Sequence, residues 1–295
     1  MRALADIPPD RPVLIAGPTA SGKSGLALEI AARQGGVIVN ADAIQVFSDW
    51  RVLTARPTPQ EEAAAPHVLY GHVPGDAPYS VGRWLRDLAP ILEGPERPIV
   101  VGGTGLYFAA LTEGLADIPE TDAATRALSE ARMAREGRGA LLDELDAETR
   151  ARIDPLNPVR VQRAWEVQHM TGRGIAAWQD DTPPPLLPLD RTHAIVVDAP
   201  KDWLDPRIAA RFETMLAAGA LDEARENAPS FTPDRPSAKA IGARELIAHV
   251  AGTLDLDTAR ARAVTQTRQF AKRQRTWFRA RMGAWTPWTP AEEAA

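Results

Sequence analysis

The chain of 295 residues contains no cysteine. That excludes a disulfide-stapled module, a thiol nucleophile, an iron–sulfur cluster and any Cys-based zinc finger. Long apolar runs are missing too. Stretches such as Val37-Ile38-Val39 and Ile195-Val196-Val197 fall far short of the ~18 residues of a membrane span. The opening Met1-Arg2-Ala3-Leu4-Ala5-Asp6-Ile7-Pro8-Pro9 lacks the continuous apolar stretch of a secretory signal, so a cytoplasmic protein with no membrane partner is expected. The five histidines, His67, His72, His169, His193 and His249, follow no metal-ligand spacing. Acidic residues are absent from Thr258 to Pro290, where Arg260, Arg262, Arg268, Lys272, Arg273, Arg275, Arg279 and Arg281 stand. With 8 positive charges there against −5 overall, the rest of the chain carries −13. The asymmetry points to a polyanionic partner at the C-terminal end, or to a solvated helix face.

What is present reads as alternating strand and helix. Val13–Ala16 is a short apolar run ending at Gly17, and Leu26, Ala27, Ile30 and Ala31 then recur at helical spacing until Gly35-Gly36. Strands follow at 37–39 and 98–101, the latter stopped by Gly102-Gly103, and this order implies a parallel α/β sheet. Residues 55–79, rich in Pro and Gly, are expected to loop out. From Ile118 to about Asp181 the pattern is helical, with a sharp start at Asn157-Pro158 and a stop near Gly172. Thr182–Pro188 reads as a stiff connector, His193–Asp198 returns to the sheet, and helices are expected at about 202–218, 238–250 and 257–282.

Gly17-Pro18-Thr19-Ala20-Ser21-Gly22-Lys23-Ser24 fits G-x-x-x-x-G-K-[ST] between a strand and a helix. Its glycines let backbone N–H groups wrap around phosphate at a helix N-terminus. Lys23 adds a point charge, and the Ser24 hydroxyl is placed for Mg²⁺. A nucleotide hydrolase or kinase is the default bearer of such a loop, but it carries an acid at the end of a later strand. Here that strand ends in Gly102-Gly103-Thr104-Gly105. The acid stands instead after the second strand, as Asp42 in Asn40-Ala41-Asp42, at the strand end where α/β sheets bind ligands. It is either a general base or an N-cap for the turn that follows. Gln45 just beyond has donors and acceptors that could read a base edge.

These residues bring a resemblance into focus. The chain resembles the bacterial tRNA dimethylallyltransferase (tRNA isopentenyltransferase) family in Gly17–Ser24, Asn40–Phe47, Thr54–Pro59, Pro66-His67, Tyr79–Val81 and Val101–Phe108. The likeness continues through Asn157-Pro158 with Arg160 and Arg163, Ala240–Gly242, Thr267–Gln269 and Ala271–Gln274. It implies an α/β, P-loop NTPase-like parallel sheet core with an inserted helical subdomain and a helical C-terminal region. The expected divisions are 1–117, 118–190 and 191–295. It also implies transfer of a dimethylallyl group from its diphosphate to the exocyclic amine of the adenosine just 3′ of the anticodon. On this reading Gly17, Pro18, Thr19, Ala20, Ser21, Gly22, Lys23 and Ser24 hold the diphosphate with Mg²⁺. Arg207 and Arg211, four residues apart on one helix, would clamp it as forks. Asp42 is the expected general base, with Thr104 and Lys23 the other catalytic candidates.

A loop base must leave its stack to reach a buried electrophile, so RNA contacts are expected around the site and beyond it. Asp42, Ala43, Ile44, Gln45 and Thr104 would meet the target nucleotide. By resemblance Arg126 and the stretch Val159, Arg160, Val161, Gln162 and Arg163 meet the tRNA anticodon stem-loop. Arg268, Lys272, Arg275 and Arg279 fall at i, i+4, i+7 and i+11, one basic stripe. Trp277, Trp285 and Trp288 would either stack on bases or pack the core. The resemblance further implies a monomer. Departures from the family pattern include Val52-Leu53-Thr54 for Ile-Gly-Thr, Arg56 for Lys, Phe47 for Tyr and Gly82-Arg83 for Ala-Asp. Rival readings are a prenyltransferase for free adenine nucleotides, a small-molecule kinase, and a non-catalytic RNA-binding switch.

Overall fold

The computed structural model describes residues 7–290; most of the opening segment read for a secretory signal, Met1–Asp6, lies outside them. The chain divides into two compact units, one running up to Thr112 and from Leu186 onward, the other Glu113–Pro185.

In the first unit, β1 (Val13–Ala16), α1 (Lys23–Gln34) and β2 (Val37–Asn40) form where the apolar spacing predicts them. Helix α1 buries Leu26, Ala27, Ile30 and Ala31 and stops at Gly35, whose φ of 71° suits glycine. Full burial of a side chain such as Leu26 or Ile30 contributes about 1.5–3 kcal/mol. The segment expected to loop out is more ordered than that. It holds α2 (Pro59–Ala64) and β3 (His67–Val68). A capping box between Thr58 and Glu61, with Pro59 in the first turn, starts α2. Then come α3 (Val81–Leu92), capped by Ser80, β4 (Pro98–Gly102) and α4 (Gly105–Glu113).

The helical unit follows with α5 (Ala123–Asp143), α6 (Ala147–Arg152), α7 (Pro158–Thr171) and α8 (Ile175–Asp180). Asp122 caps α5, whose helical geometry breaks at Gly137, φ 78°. Asn157 Oδ1 accepts from the amides of Val159 (3.1 Å) and Arg160 (3.2 Å), and Gly172 ends α7. Its core is Leu141, Leu145, Val161, Ala164 and Trp165.

The chain re-enters the first unit as β5 (His193–Val197), α9 (Lys201–Ala217), α10 (Ala220–Asn227), α11 (Ala243–Val250), α12 (Leu256–Arg281) and β6 (Thr286–Trp288). The described strands form one parallel sheet in the order β3-β2-β4-β1-β5-β6. Strand β6 is a short edge strand, where Pro287 removes no needed ladder donor. The alternation of side chains splits the core. Val13, Ile15, Ile38, Ile99 and Ile195 pack with α1, Leu204 and Ile208 on one face. Leu14, Val37, Val39 and Val100 meet Trp84, Phe108, Phe278 and Trp285 on the other. Both faces are covered, as a parallel sheet requires. The chain leaves β1 toward β2 but leaves β4 toward β5, on the opposite side. Adjacent strands with opposite exits open a crevice beyond their carboxyl ends.

Candidate active site

The phosphate loop sits over that crevice. Gly17 N donates to Gly102 O (3.3 Å), and the loop turns through left-handed Ala20 (φ 61°) and Gly22 (φ 88°) into α1. The first N–H groups of a helix have no partner within it, so the start of α1 presents open donors beside Lys23. Ser21 is buried, and its Oγ has no hydrogen-bond partner among the described residues. Lys23 Nζ donates to Pro18 O at 3.3 Å. Burial first, and Arg211 second, lower the Lys23 pKa to about 8, with Asp42 pulling the other way. Burial likewise lowers the Arg211 pKa against the pull of Asp42. Arg207 stacks on Trp203, 4.2 Å from the ring centre, and its Nε donates to Ala20 O at 3.3 Å. Both arginines therefore lie at the phosphate loop.

Asp42 is fixed from several sides. Buried Asn40 accepts from Asp42 N (2.9 Å) through Oδ1, while its Nδ2 donates to Asp42 O and Leu69 O, both at 3.0 Å. Asp42 Oδ1 accepts from Ile44 N (2.9 Å) and Gln45 N (3.4 Å), so the residue does cap the turn after β2. Its Oδ2 faces Gly103, where an added Cβ would lie 3.5 Å away. Thr104 Oγ1 accepts from Ala43 N at 3.0 Å and Thr104 N donates to Ala41 O at 3.2 Å, which stitches the end of β4 to the Asp42 loop. That approach requires glycine: a Cβ on Gly102 would lie 2.1 Å from Ala41 O. Gln45 gives its amide donors to Thr54 O (2.9 Å) and Ala55 O (2.8 Å), which leaves its carbonyl oxygen as the group able to meet a base edge.

Two chambers adjoin here and share Lys23, Arg211 and Met215. The first, about 340 Å³, has apolar walls from Leu53, Ile208, Phe212, Met215, Ile241 and Phe270, and Thr19, Lys23, Asp42, Arg211, Lys239 and Arg273 also line it. The second, about 790 Å³, is bounded by the phosphate loop from Ala20 to Ser24 and by Arg51, Arg56 and Arg207. A chamber bounded by the phosphate loop and by arginines thus opens into one that combines apolar walls, one carboxylate and further cationic side chains. Among the described residues no three His, Asp or Glu side chains gather as metal ligands. The exposed Ser24 hydroxyl lines the second chamber. One protein oxygen suits Mg²⁺ that keeps several waters and takes its other ligands from phosphate.

The remaining candidates lie away from this crevice or in the other unit. On α12, Lys272 and Arg279 are exposed, while Arg268 Nε lies 3.9 Å from Asp205 Oδ1. Arg275 and Arg279 line a separate cleft of about 250 Å³ with Asp198, Phe278 and Trp285. Trp285 is 6% exposed and packs edge-on to Phe108, so the core reading holds for it. Trp277 packs against the same core, and Trp288 packs against the opposite face of the sheet. In the helical unit Arg126, Val159 and Arg160 are exposed, and Gln162 and Arg163 are half-buried. Gln162 Nε2 donates to Ser129 Oγ (2.8 Å) and to buried Glu166 (3.2 Å), and Arg163 reaches Thr121. Val161 is 0% exposed in the helical core, so its side chain does not reach the surface that Val159 and Arg160 share.

The sequence reading gave no role to Gln274, which is 5% exposed. Its Oε1 accepts from Thr19 N (2.9 Å) and its Nε2 donates to Gly103 O (2.9 Å), joining the phosphate loop to the end of β4. Its signals in the sequence are its place in the family-like stretch Ala271–Gln274 and a buried-face position within an otherwise basic helix. The chamber walls, drawn from residues 19 to 273, carry no local periodicity to read.

Known proteins resemble this chain over most of its length. The family described as IPP transferase matches residues 45–281, and that described as isopentenyl transferase matches residues 11–68. A tRNA dimethylallyltransferase of Dinoroseobacter shibae is 62% identical over 97% of both chains. One of Roseobacter denitrificans is 60% identical over 96% of this chain and 100% of its own. The tRNA isopentenylpyrophosphate transferase of Bacillus halodurans superposes with a TM-score of 0.65 at 30% identity, covering 95% of this chain and 90% of that one. A eukaryotic dimethylallyltransferase acting on tRNA shares the fold at TM-score 0.79 and 24% identity, over 96% of this chain and 77% of that one. With a match over most of its length and relatives this similar, the chain belongs to the IPP transferase family.

Proposed function

We propose that this chain transfers a dimethylallyl group from dimethylallyl diphosphate to the exocyclic amine of an adenosine beside the tRNA anticodon. The observation that carries the reading is the pair of adjoining chambers, a cation-lined one at the phosphate loop opening at Lys23 and Arg211 into one with apolar walls that holds Asp42. A diphosphate joined to a short hydrocarbon has the same two-part chemistry.

In the proposed reaction the adenosine nitrogen attacks the first carbon of the dimethylallyl group and the bond from that carbon to the diphosphate oxygen breaks. Asp42 accepts the proton lost by the amine. With Oδ1 engaged by two backbone amides, Oδ2 is the oxygen that takes it. Thr104, whose Oγ1 already accepts from Ala43 N, has its hydroxyl proton to orient the base. Lys23, Arg207, Arg211 and the open amides at the start of α1 stabilise the charge that grows on the departing diphosphate, a fixed electrostatic contribution. Mg²⁺, held through Ser24, would supply further positive charge to the same oxygens. The apolar walls keep water from the activated carbon. The basic stripe of α12 and, in the helical unit, Arg126, Val159, Arg160 and Arg163 are the proposed tRNA contacts.

The test is a transfer assay with labelled dimethylallyl diphosphate, Mg²⁺ and unmodified tRNA, with adenosine monophosphate and ATP as parallel acceptors. Label in tRNA alone is the expected result. Label in the free nucleotides alone moves the acceptor to a nucleotide, and none anywhere overturns the reading. Asp42→Asn keeps an oxygen for the Ile44 and Gln45 amides and removes the base. It is expected to lower the transfer rate by about 10²–10⁴-fold while tRNA binding, measured by filter retention, stays unchanged.

A further inference from the structure

The segment Arg51–Ala55 contributes to both chambers, and the way it is held gives it a role of its own. Leu53 and Thr54 line the apolar chamber, whereas Arg51, Val52 and Ala55 line the anion chamber. Glu223 of α10 stands behind the segment and accepts from three successive amides, those of Arg51, Val52 (2.8 Å) and Leu53 (2.9 Å). Three consecutive N–H groups aimed at one carboxylate form an anion nest, here filled by a side chain of the same unit. From the front, Gln45 Nε2 binds the carbonyls of Thr54 and Ala55. Ala55 is left-handed, with φ 51°, a strained conformation that persists only when its surroundings over-determine it.

The held segment drives one side chain into the apolar chamber. Leu53 is 5% exposed. Its Cδ1 and the Phe212 ring lie 3.2 and 3.3 Å from where a Cβ on Gly242 would stand. Leu53 therefore forms part of that chamber's wall, packed in one cluster with Phe212 and beside the Gly242 backbone. We propose that Glu223 is a positioning residue and Leu53 a specificity-determining one: together they fix the length of isoprenoid diphosphate that the site accepts. This rests on the proposed transfer reaction. Glu223 touches no substrate; it acts by holding the backbone from which Leu53 projects.

The experiment compares dimethylallyl and geranyl diphosphates as donors to unmodified tRNA, with wild-type protein, Leu53→Ala and Glu223→Ala. Wild-type transfer from dimethylallyl diphosphate comes first; its absence would overturn the proposed reaction and this inference with it. Given that transfer, both variants are expected to raise the geranyl-to-dimethylallyl ratio of kcat/KM by about 10-fold or more, the scale on which a pocket discriminates methylenes. For Glu223→Ala, KM for dimethylallyl diphosphate should also rise about 10-fold while kcat stays within about 2-fold, as for a loss of uniform binding. A purely structural role for Glu223 would lower the active fraction and leave the donor ratio unmoved. That result overturns the positioning role, and an unchanged ratio in Leu53→Ala, which keeps every Glu223 bond, overturns the length gauge. Should Glu223→Ala fail to fold, Glu223→Gln, which retains an acceptor oxygen, must show the same ratio change in smaller measure.

Discussion

Burial and the neighbouring Arg211 guanidinium bring the Lys23 pKa down to about 8 in the ligand-free protein. The ammonium is thus held at a cost that the proposed diphosphate, with its negative charge, would remove. Because the folded value lies below the ordinary lysine value, the unfolded chain binds more protons between the two. Stability from this group consequently rises as pH increases through about 8. Ligand binding runs the other way. A diphosphate needs the charged ammonium, so its affinity should be flat below pH 8 and fall above it, by roughly 10-fold at pH 9 where about a tenth of Lys23 stays protonated. Calorimetric titration with a non-reactive prenyl diphosphate analogue measures this directly. Lys23→Met should bind more weakly at neutral pH and lose the fall. A wild-type affinity that does not change between pH 7 and pH 9 would show that Lys23 does not hold the anion.

At the scale of elements, α12 is less an RNA-facing rod than a strut of the site. Its buried Gln274 bonds the amide of Thr19 in the phosphate loop and the carbonyl of Gly103 at the end of β4. Glycine at position 103 makes room for it, since an added Cβ would lie 2.2 Å from Gln274 Nε2. Gln274→Ala should leave Gly103 O buried and unpaired, a loss of about 1–3 kcal/mol, read by urea unfolding. Gln274→Glu keeps an acceptor for Thr19 but sets a carboxylate against the Gly103 carbonyl and beside the phosphate loop. It should weaken diphosphate binding more than the alanine variant, although it preserves one bond more; the reverse order would remove Gln274 from the site. This tie explains what could and could not be read from the sequence. The strand, loop and helix at 13–34 are set by neighbours in sequence, and so are the caps at Asn157 and Gly172. Proline density around 55–79 obscured α2, although Thr58 and Glu61 stood at capping-box spacing. Strand β6 has three residues and one proline, and pairing with β5 alone makes it a strand. Asp42, at a strand end, could be found without the structure. Gln274, Glu223 and the wall of Leu53, Phe212 and Met215 could not, because each takes its role from residues far away in the chain.

For the whole molecule, the segregation of charge decides how a polyanion approaches. A chain of net −5 should repel RNA at long range, yet its acid-free segment contains most of α12 and presents Lys272 and Arg279 to solvent. Near the protein, within a Debye length of ~8–10 Å, RNA bound as proposed would meet the local field of α12 and not the net charge. Two members of the stripe differ from the rest: Arg268 lies near Asp205, and Arg275 buries its Nε. Lys272 and Arg279 are therefore the two expected to release counterions from RNA phosphate. Affinity for tRNA should fall steeply with salt, and removing one phosphate-binding charge should reduce the log–log slope by about 0.7–0.9. The double variant Lys272→Ala/Arg279→Ala should then show a shallower slope and a higher KM for tRNA. Its kcat at saturating tRNA should stay within about 2-fold, because charges that only hold the substrate contribute equally before and during the reaction. If slope and KM match those of wild type, the stripe is a solvated helix face, and the charges that recognise RNA belong to Arg126, Arg160 and Arg163 of the helical unit.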